Sequence, residues 1–147
     1  MDVEISSEQR AALEDRRDGV VDTRTFPASM NALREVRSFV LQRAAEASLP
    51  KHVAHDLTIA ASEASANAAL YSDSPEIEVL LKVTAGRAEV RVADSGVFRC
   101  SLVMNEDGSP VRGRGLAVMM AVMDEVTIRR GTPEEPGTLV RLVKHLD

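Results

Sequence analysis

An alanine-rich helical run organises this chain: Ser62-Glu63-Ala64-Ser65-Ala66-Asn67-Ala68-Ala69-Leu70-Tyr71. A step of four residues returns to nearly the same side of a helix, so Glu63, Asn67 and Tyr71 form one polar stripe. A second, apolar stripe of small residues lies roughly a quarter-turn away, and it comprises Leu57, Ala61, Ala64 and Ala68. Taken alone, the run fits an ordinary surface helix better than a helix that lines a polar cleft. The rest of the sequence reverses that preference.

Composition limits the possible functions of the 147-residue chain. Hydrophobic residues make up 44% and charged residues 28%, as is typical of one soluble globular domain. A net charge of -5 and an aromatic content of 3% argue against nucleic-acid binding, which needs clustered cations and stacking rings. Cys100 is the single cysteine, and no stretch approaches the ~20 apolar residues of a membrane span. With no signal peptide in the polar N-terminus, we expect a cytoplasmic location and no membrane contact.

The order of secondary structure predicts an α+β domain over residues 20–147, preceded by a mobile N-terminal tail over residues 1–19. Alternation predicts an edge strand over 20–26, a hairpin over 77–93 and two final strands over 125–130 and 137–143. Helical spacing predicts helices from Ser29, as N-cap, to about 47, from Pro50 to Tyr71, and from 113 to 123. The intervening loop, residues 97–112, is too long for a simple connection and suggests a functional segment.

Two short motifs complement the helical run. Gly113-Arg114-Gly115 precedes a helix, where free backbone N–H groups and the positive dipole end suit phosphate oxygens. Asp94-Ser95-Gly96 ends a strand, where a carboxylate can accept a hydrogen bond from an exocyclic amine beside a flat ring. Asn67 is a neutral oxygen ligand of the kind that Mg²⁺ accepts alongside phosphates, and Glu63 can take a proton from an attacking hydroxyl. No Walker-type P-loop is present.

In this order and spacing the motifs resemble the histidine-kinase-like ATPase (GHKL) superfamily, which includes gyrase. The resemblance is greater to the small bacterial anti-sigma factor serine/threonine kinases. The motifs that carry it are Ser62-Glu63-Ala64-x-x-Asn67-Ala68, Asp94-x-Gly96, Gly113-x-Gly115-Leu116, Met123-Asp124-x-Val126 and Gly137-Thr138-x-Val140-x-Leu142. The resemblance implies a two-layer α/β sandwich of Bergerat type, in which helices cover one face of a mostly antiparallel mixed sheet.

The resemblance also implies a role for each matching residue. Asn67 would hold Mg²⁺ and Glu63 would be the general base for a substrate serine. Asp94 would contact the adenine amino group of ATP and Gly96 would make room for the ring. The remaining positions implied in ATP binding are Gly113, Arg114, Gly115 and Leu116 at the phosphates and Thr138 at the adenine pocket. Arg37, on the first helix, matches an arginine that contacts protein partners in this family.

Two functions of different class follow. The first is an enzyme, a homodimeric anti-sigma factor that binds Mg-ATP, sequesters a sigma factor and phosphorylates a serine on an anti-anti-sigma (STAS-type) protein. The second is a nucleotide-gated partner-binding module with little or no kinase activity, and two departures from the family pattern motivate it. Tyr71 replaces a frequent histidine, and Phe98 replaces a glycine. A detached ATPase domain of a sensor kinase is disfavoured, because no phospho-accepting histidine helix precedes the domain.

Several other residues are predicted to bind no ligand. His52 and His55 lie three residues apart on a predicted helix, but without further ligands they fit solvated surface better than a metal pair. Met119, Met120 and Met123 are expected to fill the core.

Overall fold

The computed structural model describes residues 20–97 and 114–146. Over these ranges the elements are β1 (Val20–Pro27), α1 (Leu33–Glu46), α2 (Lys51–Tyr71), β2 (Glu76–Thr84), β3 (Arg87–Asp94), α3 (Arg114–Val122), β4 (Glu125–Arg129) and β5 (Leu139–His145), with a 3-10 turn at Met30–Ala32. The strands form one sheet in the order β1-β2-β3-β5-β4, and every described pairing is antiparallel. The predicted tail, residues 1–19, lies outside the described residues, as do Phe98, Cys100 and Gly113.

The sheet presents one apolar face to the helices, and the alternation of buried and exposed residues is most regular along β2. In β2 the residues Ile77, Val79, Leu81 and Val83 are all buried, and their neighbours on the other face are polar or part-exposed. The register pairs Val79 with Val92 and Leu81 with Val90, so the apolar face continues into β3. The predicted α+β fold class, with helices on one face of a mostly antiparallel mixed sheet, is therefore confirmed, with the difference that no pairing in the described residues is parallel. Strand β1 lies at an edge, as predicted.

Helix α2 packs its stripe of small residues on this face. Leu57, Ala61, Ala64 and Ala68 are between 0% and 5% exposed, as the helical spacing predicts. Alanine side chains let the helix backbone approach its neighbours closely, and the half-buried Glu63 and Asn67 lie roughly a quarter-turn round α2 from them. Packing of the apolar stripe thus fixes the orientation of the adjacent polar stripe.

Helix α1 begins later than predicted. Ser29 was expected to be its N-cap, but the Ser29 side chain makes no capping hydrogen bond, and its backbone is extended. A 3-10 turn follows, in which the Ala32 N–H donates to the Ser29 carbonyl at 3.1 Å, and the α-helix starts at Leu33. The Ser29 carbonyl, rather than its hydroxyl, therefore organises the first turn.

Aromatic and ionic contacts join α1 to β1. The rings of Phe26 and Phe39 pack edge-on at 5.8 Å between centroids. Arg43 pairs with Asp22 on the strand and with Glu46 one turn along the helix. The hydrogen bond from Arg43 to Asp22 is the main cause that raises the pKa of this guanidinium above its ordinary value. These contacts stabilise the charged form of Arg43 and hold α1 against β1.

Helix α3 contributes buried Met119, and the turn that follows contributes buried Met123, both as predicted. Met120 differs from the prediction, because it lies on the outer side of α3 and is 64% exposed. His52 and His55 are exposed, as predicted. None of the helices in the described residues combines the length and the apolar character that crossing a membrane requires.

One lysine joins three elements at the end of the domain where α3 stops. The Lys144 ammonium on β5 donates to Asp56 of α2 at 2.9 Å and to the Val122 carbonyl at 2.8 Å. The side chains of Lys144 and Asp56 are only 20% and 23% exposed, so water screens this pair partly. A cation at a carbonyl in the last turn also complements the dipole of α3.

Lys144→Met should therefore lower the free energy of unfolding by about 1–2 kcal/mol, because it leaves Asp56 and a helix-end carbonyl without their shared donor. Urea denaturation measures this change. Lys51→Met, at the exposed first residue of α2, is the control and should change stability by less than about 0.5 kcal/mol. Equal effects of the two substitutions would contradict a role for the Lys144 contacts.

Candidate functional site

The polar stripe of α2 faces the start of α3. A Cβ atom placed on Gly115 would lie 3.0 Å from Glu63 Oε2 and 3.4 Å from Asn67 Oδ1 and Nδ2. The backbone of the first turn of α3 therefore lies directly beside both side chains. This first turn also has N–H groups without partners inside the helix, and they favour anions. A carboxylate, a carboxamide and a helix N-terminus thus share one side of the domain.

A second cluster forms around the carboxylate at the end of β3. Asp94 Oδ1 accepts hydrogen bonds from the Ser72 hydroxyl and from the Gly96 N–H, each at 2.9 Å. The Thr138 N–H adds a longer contact to the same oxygen at 3.5 Å. Among the described residues, no donor reaches Asp94 Oδ2, and the residue is half-buried. Within the described residues, the protein therefore holds one oxygen of the Asp94 carboxylate and donates no hydrogen bond to the other.

Backbone contacts between the loop before β5 and the turn after β3 support this cluster, and they involve Thr138 and three glycines. Thr138 is 5% exposed, and its hydroxyl accepts a hydrogen bond from the Gly131 N–H at 2.9 Å. The Gly137 N–H donates to the Gly96 carbonyl at 2.9 Å, and the φ of Gly137 is +111°, which favours glycine. Gly131 lies so close to the same Gly96 carbonyl that a Cβ atom would overlap it. The loops before β5 and after β3 are thus in direct backbone contact.

A serine-rich turn after α2 joins the two clusters. Besides the Ser72 bond to Asp94, the Asp73 carboxylate accepts the Val97 N–H at 2.8 Å, and the Ser74 hydroxyl accepts the Ser95 N–H at 3.2 Å. A Cβ atom on Gly96 would overlap Ser72 Oγ and Asp73 Oδ1 and lie 2.7 Å from the Ser74 nitrogen. The family resemblance implies that Gly96 leaves room for a ring. The structure adds a different need for glycine, the close approach of this turn.

The other predicted residues are placed as follows. Leu116 lies in the first turn of α3, part-buried, where it packs against the core. Arg114 is the first residue of α3, and its side chain, like the whole of Gly113, lies outside the described residues. Arg37 is exposed on α1, and its guanidinium donates to the Ser62 hydroxyl at 3.2 Å. It is thus bonded to the residue that precedes Glu63.

The described residues hold no group of three or more His, Cys, Asp or Glu side chains that could bind a metal ion by themselves. The Asn67 side chain and the first turn of α3 fit Mg²⁺ held together with a nucleotide, because Mg²⁺ keeps water and phosphate oxygens and takes one or two protein ligands. Asn67 offers such a neutral oxygen beside the first turn of α3.

The family model for the histidine kinase-like ATPase domain matches residues 26–144. The chain belongs to this ATPase family. The resemblance drawn from the motifs is therefore confirmed at the level of the superfamily. No curated protein sequence matches the chain significantly.

A solved structure shares the ATPase fold. The crystal structure of the RsbU and RsbW domains of Rv1364c from Mycobacterium tuberculosis is similar, with a TM-score of 0.66 and 23% sequence identity. The match covers 85% of this chain and 32% of that one, so this chain spans less than a third of the length of that protein structure. At this identity the likeness shows the fold, and the ATPase fold of the chain is confirmed.

Sequence reasoning missed several residues that contact the turn around Asp94 and Gly96. Ser72, Asp73 and Ser74 look in the sequence like an ordinary turn after a helix, and Gly131 looks like a loop boundary. Their long-range partners lie 21 to 35 residues away along the chain, as the Ser74 bond to Ser95 and the contact of Gly131 with Gly96 show. The one available signal was the density of turn-forming side chains between Tyr71 and Pro75.

Proposed function

We propose that this protein is an anti-sigma regulatory factor that binds Mg-ATP and transfers the γ-phosphate to a serine of an anti-anti-sigma, STAS-type protein. The observation that carries the proposal is the meeting of Glu63, Asn67 and the first turn of α3 at Gly115. A base, a metal ligand and an anion-binding helix end are the parts that phosphoryl transfer needs, since its catalysis is mainly positioning and charge stabilisation.

Each part has one task in the proposed reaction. The first turn of α3 holds phosphate oxygens with its free N–H groups. Bound Mg²⁺ would neutralise charge on the phosphates, with the Asn67 side-chain oxygen as its protein ligand. Glu63 accepts the proton of the incoming serine hydroxyl as that oxygen attacks the γ-phosphorus and ADP leaves. Asp94 and Thr138 bind the adenine ring, at the end of the nucleotide away from the phosphates.

The proposal extends to partners and assembly. Arg37 would contact the sigma factor or the STAS protein, since its side chain is exposed on α1 and makes a hydrogen bond to the Ser62 hydroxyl. Because Ser62 precedes Glu63 in α2, a partner that contacts Arg37 would lie near the proposed general base, Glu63. We also propose a homodimer in the cytoplasm as the working form.

Tyr71 favours the second candidate, a nucleotide-gated module that holds its partner without phosphorylating it. It lies at the end of the stripe of Glu63 and Asn67, is part-buried and is engaged in contacts of its own. A neutral phenol at this position cannot supply the charge that a protonated imidazole would give to a phosphate.

Incubation with Mg-ATP, a STAS protein and a sigma factor from the same genome separates the two candidates. The kinase proposal predicts a phosphoserine on the STAS protein by mass spectrometry and release of the sigma factor as it accumulates. Nucleotide-dependent capture of the sigma factor with no phosphoserine would support the binding module instead. An absence of both would reject the two candidates together.

A further inference from the structure

We propose that Ser72 is a positioning residue that holds the Asp94 carboxylate with one oxygen turned toward the ligand, and thereby sets the preference of the site for adenine. This inference rests on the proposed function, because it concerns how the proposed nucleotide site chooses its base. Ser72 follows α2 and lies 22 residues before Asp94, and its hydroxyl donates to Asp94 Oδ1 at 2.9 Å.

The Ser72 hydroxyl is oriented by two hydrogen bonds, one that it accepts and one that it donates. Its oxygen accepts the Ser74 N–H at 3.3 Å, while its single proton goes to Asp94. The Ser72 backbone is held as well, because its N–H donates to the Ala68 carbonyl at 3.1 Å as the cap of α2. Rotation of the Ser72 side chain about its Cα–Cβ bond would break both of these hydrogen bonds, so the observed orientation is favoured.

Three donors meet at one oxygen of Asp94. The Ser72 hydroxyl and the Gly96 and Thr138 N–H groups all point to Oδ1, which has two lone pairs to share among them. Rotation of the carboxylate would break all three bonds, although this side-chain torsion is intrinsically soft. Within the described residues Oδ2 accepts no bond, so it is presented as a pure acceptor.

An outward acceptor selects one class of purine. It pairs with the 6-amino group of adenine, and it repels the 6-oxo group that hypoxanthine and guanine carry at the same position. Without the Ser72 bond the carboxylate gains freedom to turn. Binding of ATP and discrimination against 6-oxopurines should then fall together.

The test measures dissociation constants for ATP and for inosine triphosphate (ITP) by calorimetry, with Mg²⁺ present. Ser72→Ala should weaken ATP binding about tenfold, near the lower end of what a hydrogen bond to a charged group contributes, because the lost bond acts through Asp94. It should change ITP binding by less than about twofold. The matched control is Ser74→Ala, in the same turn, whose hydroxyl bonds to Ser95 and to the Glu76 carbonyl but not to Asp94. It should leave the ATP-to-ITP ratio unchanged.

Asp94→Asn gives a second readout in the intact turn. The three donors require an acceptor at the Oδ1 position, so they place the amide oxygen there and turn the amide NH₂ outward. The preference should then change from ATP to ITP. This readout stands even if Ser72→Ala does not fold.

The outcomes are distinct. A wild-type protein that binds neither nucleotide overturns the proposed function and this inference with it. Binding of ATP with the same ATP-to-ITP ratio in wild type and Ser72→Ala overturns the inference alone. If Ser72→Ala does not fold, a retained ATP preference in Asp94→Asn overturns it.

Discussion

Glu63→Gln should lower the rate of phosphate transfer to the STAS protein about 10³-fold, within the range that general bases contribute. Glutamine keeps the length and hydrogen-bonding reach of the side chain, but it cannot take the proton of the attacking serine hydroxyl. The side chain lies beside the Gly115 backbone, where phosphate is proposed to bind, so loss of its negative charge should not weaken ATP binding. Single-turnover transfer from radiolabelled ATP, with a parallel binding titration, measures both quantities.

Glu35→Gln is the matched control for this substitution. Glu35 is an exposed carboxylate in the first turn of α1, so its replacement changes the net charge equally without touching the proposed site. It should leave both transfer and binding unchanged. Transfer by Glu63→Gln at the wild-type rate would remove Glu63 from the role of base, whatever its effect on binding.

Gly131→Ala should destabilise the fold by about 3 kcal/mol or more, at or above the upper end of ordinary overpacking. The added methyl group would overlap the Gly96 carbonyl and lie 2.7 Å from the Gly137 nitrogen. Both neighbours are backbone atoms, so no side-chain rotation can relieve the overlap. For a domain of this size the melting temperature should fall by about 10 °C.

The same substitution should also weaken ATP binding, because the Gly131 N–H supports Thr138 and the Gly96 backbone carries one donor to Asp94. Gly86→Ala is the control, since a Cβ atom there would meet no atom within 4 Å. It should change stability by less than about 0.5 kcal/mol. Equal melting temperatures for the two variants would show that the loops around Gly96 have room that the structure does not indicate.

Much of the fold could be predicted because its causes are local. The alternation of Ile77, Val79 and Leu81 reflects the two-residue period of a strand, and the burial of Leu57 and Ala61 reflects the period of a helix. The start of α1 could not be predicted, because an N-cap hydroxyl at Ser29 and a 3-10 turn that uses its carbonyl have the same sequence pattern.

The candidate site likewise has a part that the sequence predicts and a part that it does not. Glu63, Asn67 and Gly115 stand out from their motifs, and the structure places them side by side, while their roles remain proposals. The contacts of Ser72 with Asp94 and of Gly131 with Gly96 were beyond sequence reasoning. They depend on how two loops meet, and serine and glycine in a loop have many structural uses that one sequence cannot distinguish.

The central claim is that the side of the domain formed by Glu63, Asn67 and the first turn of α3 binds ATP as its magnesium complex, with Asn67 as a ligand of the metal. The most direct measurement is calorimetric titration of ATP into wild-type protein and into Asn67→Ala, each with Mg²⁺ and with EDTA. We predict that Mg²⁺ strengthens ATP binding to the wild type by about tenfold or more, equivalent to about 1.4 kcal/mol, and that Asn67→Ala loses this gain. No ATP binding by the wild type, or an equal Mg²⁺ effect in both proteins, would contradict the claim.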